Sequence, residues 1–445
     1  MLSPLEIVTL SSVSFLLREA LSPLVCRKFT LTQIYGSIAS VHKATAMAAS
    51  PAWLQNTVEL ELRNNGGHRA NMDIGVTAVP FMLKAVPKMS HLQTITLTNV
   101  RLSSNQLVIV LRVPKLRKIT LTGVILPELT FTKLPLTSVR HLNLQVPGEW
   151  GRAILLWTHL SASLEVLELQ GFRNSDNLPP LPPCPGLHTL LYVTTTTTPG
   201  RPDRRFHELI KSCPDLTRVT TSVALAHPFQ MDMFPSTLRY LCLHHDLLTF
   251  NSSNAQLFGL VSFRITGLED LYTVQAVVNI AQYINSHFPN LLELELEISW
   301  AQRNYALALA RLVLSVRTLH LGISTTLGLK ADASRQYIGI ENADILWGRI
   351  KRQGQWAKLQ RVSLEVTHHT RPLDDSTSAF LDWWMSVVTT YRVGLGGQDL
   401  SETDITYFCP GRSLSEGDIR RWYHSKRSEY GNWILTSGNW YESED

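Results

Sequence analysis

Apolar residues recur along this 445-residue chain in a triplet, in which one apolar residue is followed by others three and five positions later. Leu92, Ile95 and Leu97 form one such triplet, and the next begins at Leu116. The repeat triplets begin mostly 22 to 25 residues apart, at Leu92, Leu116, Val139, Leu164, Leu187, Leu216, Leu238, Leu260, Leu291, Val316 and Leu359. Self-similarity at this period predicts a repeat architecture in which neighbouring units bury one another.

Polar residues alternate with the apolar ones inside each repeat triplet, which is the period of a β-strand. In residues 92–98, Ile95 and Leu97 would face a core, while Thr94, Thr96 and Thr98 would lie on the opposite face. Helix-like stretches separate the triplets, at residues 74–85, 104–112, 150–160, 204–212, 271–287 and 304–314.

Strands that alternate with helices favour parallel pairing through right-handed crossovers. Prolines stand just before several triplets, where they would end each helix and favour an extended chain. The spacing is that of leucine-rich repeats. The sequence therefore predicts an α/β solenoid over residues 46–369, with a curved parallel sheet and with helices on its convex side. For residues 370–445 we expect an ordered cap, because this region holds the large aromatics Trp383, Trp384, Trp422, Trp433 and Trp440.

Composition limits the possible partners and compartments. Apolar residues make up 44% and charged residues 17% of the chain, which favours a packed core over disorder. The net charge is +5, and the sequence shows no obvious stripe of Lys and Arg, so no nucleic-acid partner is predicted. The five cysteines form no CxxC pair, which favours a reducing compartment, cytoplasmic or nuclear. No apolar run reaches the ~18 residues of a membrane span.

Catalytic motifs are missing from the sequence. His207-Glu208 lacks the second histidine of a zinc-protease helix, and Gly394-Leu395-Gly396-Gly397 lacks the lysine of a phosphate-binding loop. We therefore predict a protein that is not an enzyme and that holds no metal and no cofactor.

The polar face of the predicted sheet is the candidate binding surface. Solenoids commonly bind partners on such faces, and charges there steer a complementary protein. Glu293, Glu295 and Glu297 would form one acidic row, which favours a cationic partner or solvent. The predicted target-binding residues are Thr96, Lys118, His141, Glu168, Arg218, Tyr240, Glu293, Glu295, Glu297 and Arg361.

The first residues resemble an F-box, the small helical module that docks on the Skp-type adaptor of cullin–RING ubiquitin ligases. The resemblance lies in Pro4-Leu5-Glu6-Ile7 and in Val25-Cys26-Arg27-Lys28-Phe29. A short F-box ahead of irregular repeats is similar to F-box/LRR-like proteins of basidiomycete fungi. The resemblance implies a helical module at residues 1–45 whose adaptor-binding residues are Pro4, Leu5, Ile7, Leu24, Val25, Cys26 and Phe29.

The resemblance implies a function in ubiquitin transfer. The chain would be the non-catalytic substrate-recognition subunit of an SCF-type ligase, binding a protein target through the concave face of its repeats. The main alternative is a repeat scaffold without a ligase link. A GTPase-regulating repeat protein with Arg101 or Arg173 as its catalytic arginine, and a secreted repeat protein, stay open as further alternatives.

Overall fold

The structure is a computed structural model that describes most of the predicted repeats. From residue 361 onwards only the backbone of four strands is described. The described residues are 15–33, 38–64, 78–128, 137–146, 150–172, 181–194, 204–221, 233–244, 256–266, 268, 274–299, 306, 309, 312–324, 361–367, 402–409, 418–427 and 433–442. They fall into two compact units, residues 1–223 and 224–444.

The first unit contains eight strands that follow one another in chain order in a parallel sheet. They are β1 (Lys28–Gln33), β2 (Glu59–Asn64), β3 (Thr94–Thr98), β4 (Lys118–Thr122), β5 (His141–Gln145), β6 (Val166–Phe172), β7 (Thr189–Thr194) and β8 (Arg218–Thr221). Their helices are α1 (Phe15–Val25), α2 (Ile38–Ala49), α3 (Pro51–Asn56), α4 (Ala78–Ala85), α5 (Ser104–Leu111), α6 (Trp150–Leu160) and α7 (Arg204–Lys211).

The second unit continues the same design and then changes strand direction. Six strands of this unit pair in parallel, each with the next in the chain, and helix α8 (Val274–His287) precedes β11. They are β9 (Tyr240–His244), β10 (Ser262–Thr266), β11 (Glu293–Ser299), β12 (Thr318–Ser324), β13 (Arg361–Thr367) and β14 (Glu402–Cys409). Strands β15 (Asp418–Arg427) and β16 (Trp433–Glu442) then pair antiparallel. The region predicted to be a cap therefore extends the sheet by three strands.

Each unit is a solenoid-like stack whose core is formed by the triplets. Leu97, Leu121, Leu144 and Leu169 occupy equivalent places on four neighbouring strands and are at most 1% exposed. Between β5 and β6, helix α6 buries Trp157 in the same core. The predicted α/β fold with a parallel sheet is confirmed, and the second and third residues of each of the eleven triplets lie on strands β3–β13.

The repeat pattern begins earlier than the sequence prediction placed it. Cys26, which precedes β1, and Phe29 and Leu31 within β1 have the triplet spacing and are 5%, 4% and 0% exposed. Within the segment predicted to be helical, residues 1–45, Lys28–Gln33 is a strand that pairs in parallel with β2. The parallel sheet therefore includes a strand ahead of residue 46, where the solenoid was predicted to begin.

The second repeat lies inside the predicted solenoid, but its triplet was missed because it starts with a polar residue. Thr57 stands where the other repeats have an apolar side chain, ahead of Leu60 and Leu62. It is fully buried, and its hydroxyl donates to the carbonyl oxygens of Trp53, at 2.7 Å, and Cys26, at 3.2 Å. Those hydrogen bonds offset the cost of burying the hydroxyl.

The turn after the strand has a left-handed residue in two successive repeats. Asn99 follows β3 with φ of 54°, and Gly123 follows β4 with φ of 62°. The positive φ of Gly123 favours glycine, and a Cβ there would also require the side-chain oxygen of Asn99 to move. The two turns stack because the Asn99 N–H donates to the carbonyl of Thr122 and the Gly123 N–H to that of Gln145.

Candidate functional site

Polar side chains occupy the sheet face opposite the core, here called the outward face. They stand at alternate positions, so Thr94, Thr96 and Thr98 on β3 are half-buried while Ile95 and Leu97 are fully buried. The same alternation holds on β4 and on β10. The period-two interpretation of the sequence therefore placed these residues on the correct face of the strands.

In the first unit, the outward face holds a hydrogen-bonded cluster around Glu168. One carboxylate oxygen lies 2.9 Å from His141 Nε2, and the other accepts from the Asn143 side-chain amide at 2.5 Å. The side chains of His141 and Glu168 are 22% and 25% exposed. Three neighbouring positions of the outward face thus form one fixed polar surface. His141 and Glu168 were predicted to bind the target, whereas Asn143 was not.

The His141 contact shifts the ionisation of the Glu168 carboxyl. Its hydrogen bond lowers the pKa of Glu168, partial burial raises that pKa, and the nearby charges of His141 and Lys118 lower it further, so that the net shift is downward. A carboxyl whose pKa is depressed in the folded state stabilises the fold above its unfolded pKa of about 4.3. That contribution is lost as the pH falls through the lower, folded pKa.

We expect Glu168→Gln to weaken the fold at neutral pH and to make little difference in strong acid. The reason is that glutamine keeps the shape of the side chain but loses the charge that His141 stabilises. Urea unfolding of both proteins at several pH values between 7 and 3 would measure the difference. A stability gap that stays constant across this range would contradict the assigned contact.

A second carboxylate, Glu61 on β2, is also neutralised within the outward face. It forms an ion pair with Arg63 and lies 4.0 Å from Lys28 Nζ, and its side chain is 14% exposed. Thr30 on β1 donates a hydrogen bond to the same carboxylate at 3.3 Å. These contacts within β2 and between β1 and β2 hold the Glu61 side chain in place and balance its charge.

In the second unit, Arg264 on β10 neutralises part of the predicted acidic row. Its guanidinium lies 2.8 Å from Glu295 and 3.3 Å from Glu297. Burial alone would lower the pKa of Arg264, but the two carboxylates raise it above its usual value. The cationic partner expected for the row is therefore supplied in part by this chain. Arg264 stands between the buried Phe263 and Ile265, so strict alternation along β10 would have found it.

The structure disperses the predicted target-binding residues over both units. Thr96, Lys118 and Tyr240 are half-buried, Arg218 and Glu293 are exposed, and Arg361 lies on β13, whose side chains are outside the described residues. Register places Thr96 beside Thr120 and Glu293 beside Thr318. The structure brings His141 and Glu168 into direct contact in the first unit, and in the second unit Glu295 and Glu297 each contact Arg264.

The predicted adaptor-binding residues separate into core and surface. Cys26 and Phe29 are buried, and Phe29 packs edge-to-face on Trp53 with ring centroids 5.3 Å apart. A partner cannot contact them in this conformation, because they are the core positions of the first repeat. Leu24 at the end of α1 is 54% exposed, and Val25 is half-buried. The predicted residues Pro4, Leu5 and Ile7 lie outside the described residues.

The thiols of the described repeats are structural. Burial raises the pKa of Cys184 to about 12 and that of Cys242 to about 11, and it also raises the pKa of Cys26 and Cys213. Trp157 Nε1 donates to Cys184 Sγ at 3.0 Å in the core. Thiols held in this protonated state are poor nucleophiles.

Comparison with known proteins gives no family for the chain. No protein-family model matches it, and a search of the curated proteins found no match. Among the described residues, no three or more His, Cys, Asp or Glu side chains are grouped to hold a metal ion. Within the same residues, none of the helices combines the length and apolar character needed to cross a bilayer.

Proposed function

We propose that this protein is the non-catalytic recognition subunit of a cullin–RING ubiquitin ligase. In this proposal the outward face of the repeats binds a protein target, and helix α1 carries the contact to a Skp-type adaptor. The transfer of ubiquitin takes place elsewhere in the assembly. The main observation in support of target recognition is the ordered polar surface formed by Glu168, His141 and Asn143.

A surface that is already ordered favours binding. The side chains of Glu61, Glu168 and Arg264 are held by hydrogen bonds and ion pairs within the sheet. Ordering a rotamer-rich side chain at an interface costs about 0.5–1.5 kcal/mol, and a side chain that is fixed beforehand avoids that cost. Neighbouring repeats present these groups on one continuous sheet face within each unit, as recognition of an extended target requires.

The adaptor half of the proposal rests on an apolar side chain at the surface. Leu24 leaves more than half of its surface in solvent at the end of α1, next to the half-buried Val25. Exposed apolar side chains on a helix are typical anchors for a partner groove. With Cys26 and Phe29 in the core, the proposed contact narrows to α1 and to the N-terminal residues before it.

We expect Leu24→Asp/Val25→Asp to abolish capture of the full-length protein by a purified, immobilised Skp-type adaptor. The two aspartates place charges in an interface that the proposal requires to be apolar. Phe258→Asp is the matched control, because Phe258 is 63% exposed in the second unit and far along the chain from α1. Circular dichroism would verify that all three proteins fold. Equal capture of both variants, or no capture of the intact protein, would contradict the proposed contact with a ligase adaptor.

The alternative is a repeat scaffold with no ligase link. It is favoured by the finding that Cys26 and Phe29, which carry much of the F-box resemblance, serve the first repeat of the sheet. Under this alternative α1 only covers the start of the stack. We likewise propose that strands β14–β16 cap the other end of the chain with their large aromatic residues.

A further inference from the structure

One stretch of the first unit contains no acidic residue at all. Between Asp73 and Glu128 the sequence has neither Asp nor Glu, yet it has seven Lys and Arg residues: Lys84, Lys88, Arg101, Arg112, Lys115, Arg117 and Lys118. These positions span the two successive repeats that contain β3 and β4. Lys115, Arg117 and Lys118 are close together in the sequence, and the fold brings them near the cations of the neighbouring repeat.

The turns that lead into β3 and β4 have the same hydrogen bonds, which aligns their cations. Before β3, the N–H of Leu92 donates to the carbonyl of Met89, and before β4 the N–H of Leu116 donates to that of Val113. Met89 and Val113 are both buried anchors of these turns. The residues that precede the anchors, Lys88 and Arg112, are therefore equivalent, as are His91 and Lys115. All four of these side chains are exposed.

A second row of cations stands one residue before the start of strands β4 and β5. The Arg117 N–H donates to the carbonyl of Gln93 at 2.8 Å, and the Arg140 N–H donates to that of Arg117 at 2.9 Å. Arg117 and Arg140 therefore directly precede the adjacent strands β4 and β5, whose backbones lie about 4.8 Å apart in the pairing direction. Together with the turn residues they form a basic edge at the amino ends of the strands, which consists of Lys88, Arg112, Lys115, Arg117 and Arg140, all exposed.

The basic edge is largely unneutralised within the part of the chain that the structure describes. Arg140 pairs with Glu165 at 2.7 Å, where the edge ends. No described carboxylate lies within ion-pair distance of the other four. Cations at helix C-termini stabilise the helix dipole, but that effect falls off within about one turn, so it accounts for Lys88 and Arg112 and not for Lys115 or Arg117.

We propose that the basic edge docks an acidic segment of the protein target. This inference rests on the proposed recognition function and specifies the chemical class of the target. Charge complementarity selects an acidic partner, since clustered like charges in solvent attract the opposite sign and raise the association rate. Thr94, the first residue of β3, stands at the amino end of its strand beside the edge, and its hydroxyl can donate to a carboxylate or to the backbone of the segment.

Charge alone would also suit a nucleic acid, and the composition of the edge argues against it. Single-stranded nucleic acids are bound through aromatic side chains on which the bases stack. The large apolar side chains exposed in the described residues of this unit are Leu24 and Ile38, neither of which is aromatic or near the edge in sequence. A glutamate- or aspartate-rich peptide needs only the cations and hydroxyls that are present.

The first test is fluorescence anisotropy of a labelled decaglutamate peptide titrated with the full-length protein, without any adaptor. We expect saturable binding that weakens as salt rises from 50 to 500 mM, because exposed charges are screened at about 8 Å in physiological salt. A decalysine peptide should not bind. Absence of decaglutamate binding at low salt would overturn the inference, and it would leave adaptor binding to be judged separately.

The second test compares two charge reversals of equal size. Arg117→Glu, in the basic edge, should weaken binding of decaglutamate about five- to tenfold, as expected when one exposed attraction becomes a repulsion. Arg101→Glu is the control, since Arg101 is exposed in the same acid-free stretch but follows β3 at the opposite edge. Its affinity should stay within about twofold of the parent. Equal weakening in both variants would show that net charge alone matters and would overturn the assigned edge.

Nucleic acid is the competing outcome of the same assay. Labelled single-stranded and duplex oligonucleotides would be titrated in parallel at 150 mM salt. One result would overturn the acidic-segment assignment in favour of a nucleic-acid site. The protein would bind an oligonucleotide more tightly than it binds decaglutamate, and Arg117→Glu would abolish that binding. Weaker binding than that of decaglutamate would support the acidic segment.

Discussion

Replacing Phe263 by alanine is expected to lower the free energy of unfolding by about 3–5 kcal/mol. Phe263 is the central residue of the β10 triplet, is fully buried, and packs on Phe288 with ring centroids 4.8 Å apart. Alanine would remove the ring and leave a cavity, because the neighbouring strands on both sides hold the backbone in register. Urea unfolding followed by circular dichroism would measure the loss.

Ser262→Ala is the matched control for this change. Ser262 is the adjacent residue of the same strand, stands on the outward face and is half-buried. Surface substitutions of this kind change stability by about 0.5 kcal/mol or less. A loss for Ser262→Ala as large as that for Phe263→Ala would show that the two faces of β10 had been assigned the wrong way round.

Replacing Leu121 by alanine is expected to destabilise the first unit by about 2–5 kcal/mol and to loosen it locally. Leu121 is 1% exposed and lies between Leu97 on β3 and Leu144 on β5. Each repeat of a solenoid is held mainly by its neighbours, so the effect should spread to adjacent strands and fade beyond them. Native-state hydrogen exchange would measure this effect: relative to the parent protein, we expect exchange in the variant to accelerate more in β3, β4 and β5 than in β1 or β8.

The control for Leu121→Ala is Thr120→Ala on the outward face of the same strand. We expect its exchange pattern to match that of the parent protein. Uniformly faster exchange throughout the first unit after Leu121→Ala would contradict a stack of nearest neighbours. It would indicate instead a single cooperative core.

The strands could be predicted from the sequence because every triplet reflects the same physical requirement. Each strand must bury one residue at its entry and two on alternate positions, and Leu164, Leu167 and Leu169 satisfy that requirement with 0% exposure. The triplets of the first two repeats were not identified from the sequence, for specific reasons. Thr57 replaces an apolar residue in one of them, and Cys26 and Phe29 in the other had been explained by the resemblance to a different module.

The candidate site was less accessible to sequence reasoning, since it depends on which residues meet across strands. His141 and Glu168 lie 27 positions apart in the chain, and their contact follows from the parallel register of β5 and β6. The basic edge needed the fold even more. Lys88 and Arg112 become equivalent only through the matching turns before β3 and β4, and a linear scan for a stripe of cations could not align them.

The central claim is that α1 attaches a repeat protein to a ligase adaptor, and light scattering coupled to size exclusion tests it most directly. The intact protein would be mixed with a purified Skp-type adaptor, and the mass of the eluted species would be measured. The account predicts a complex with one copy of each protein, which is lost in Leu24→Asp/Val25→Asp and kept in Phe258→Asp. Separate elution of the folded intact protein and the adaptor would contradict it.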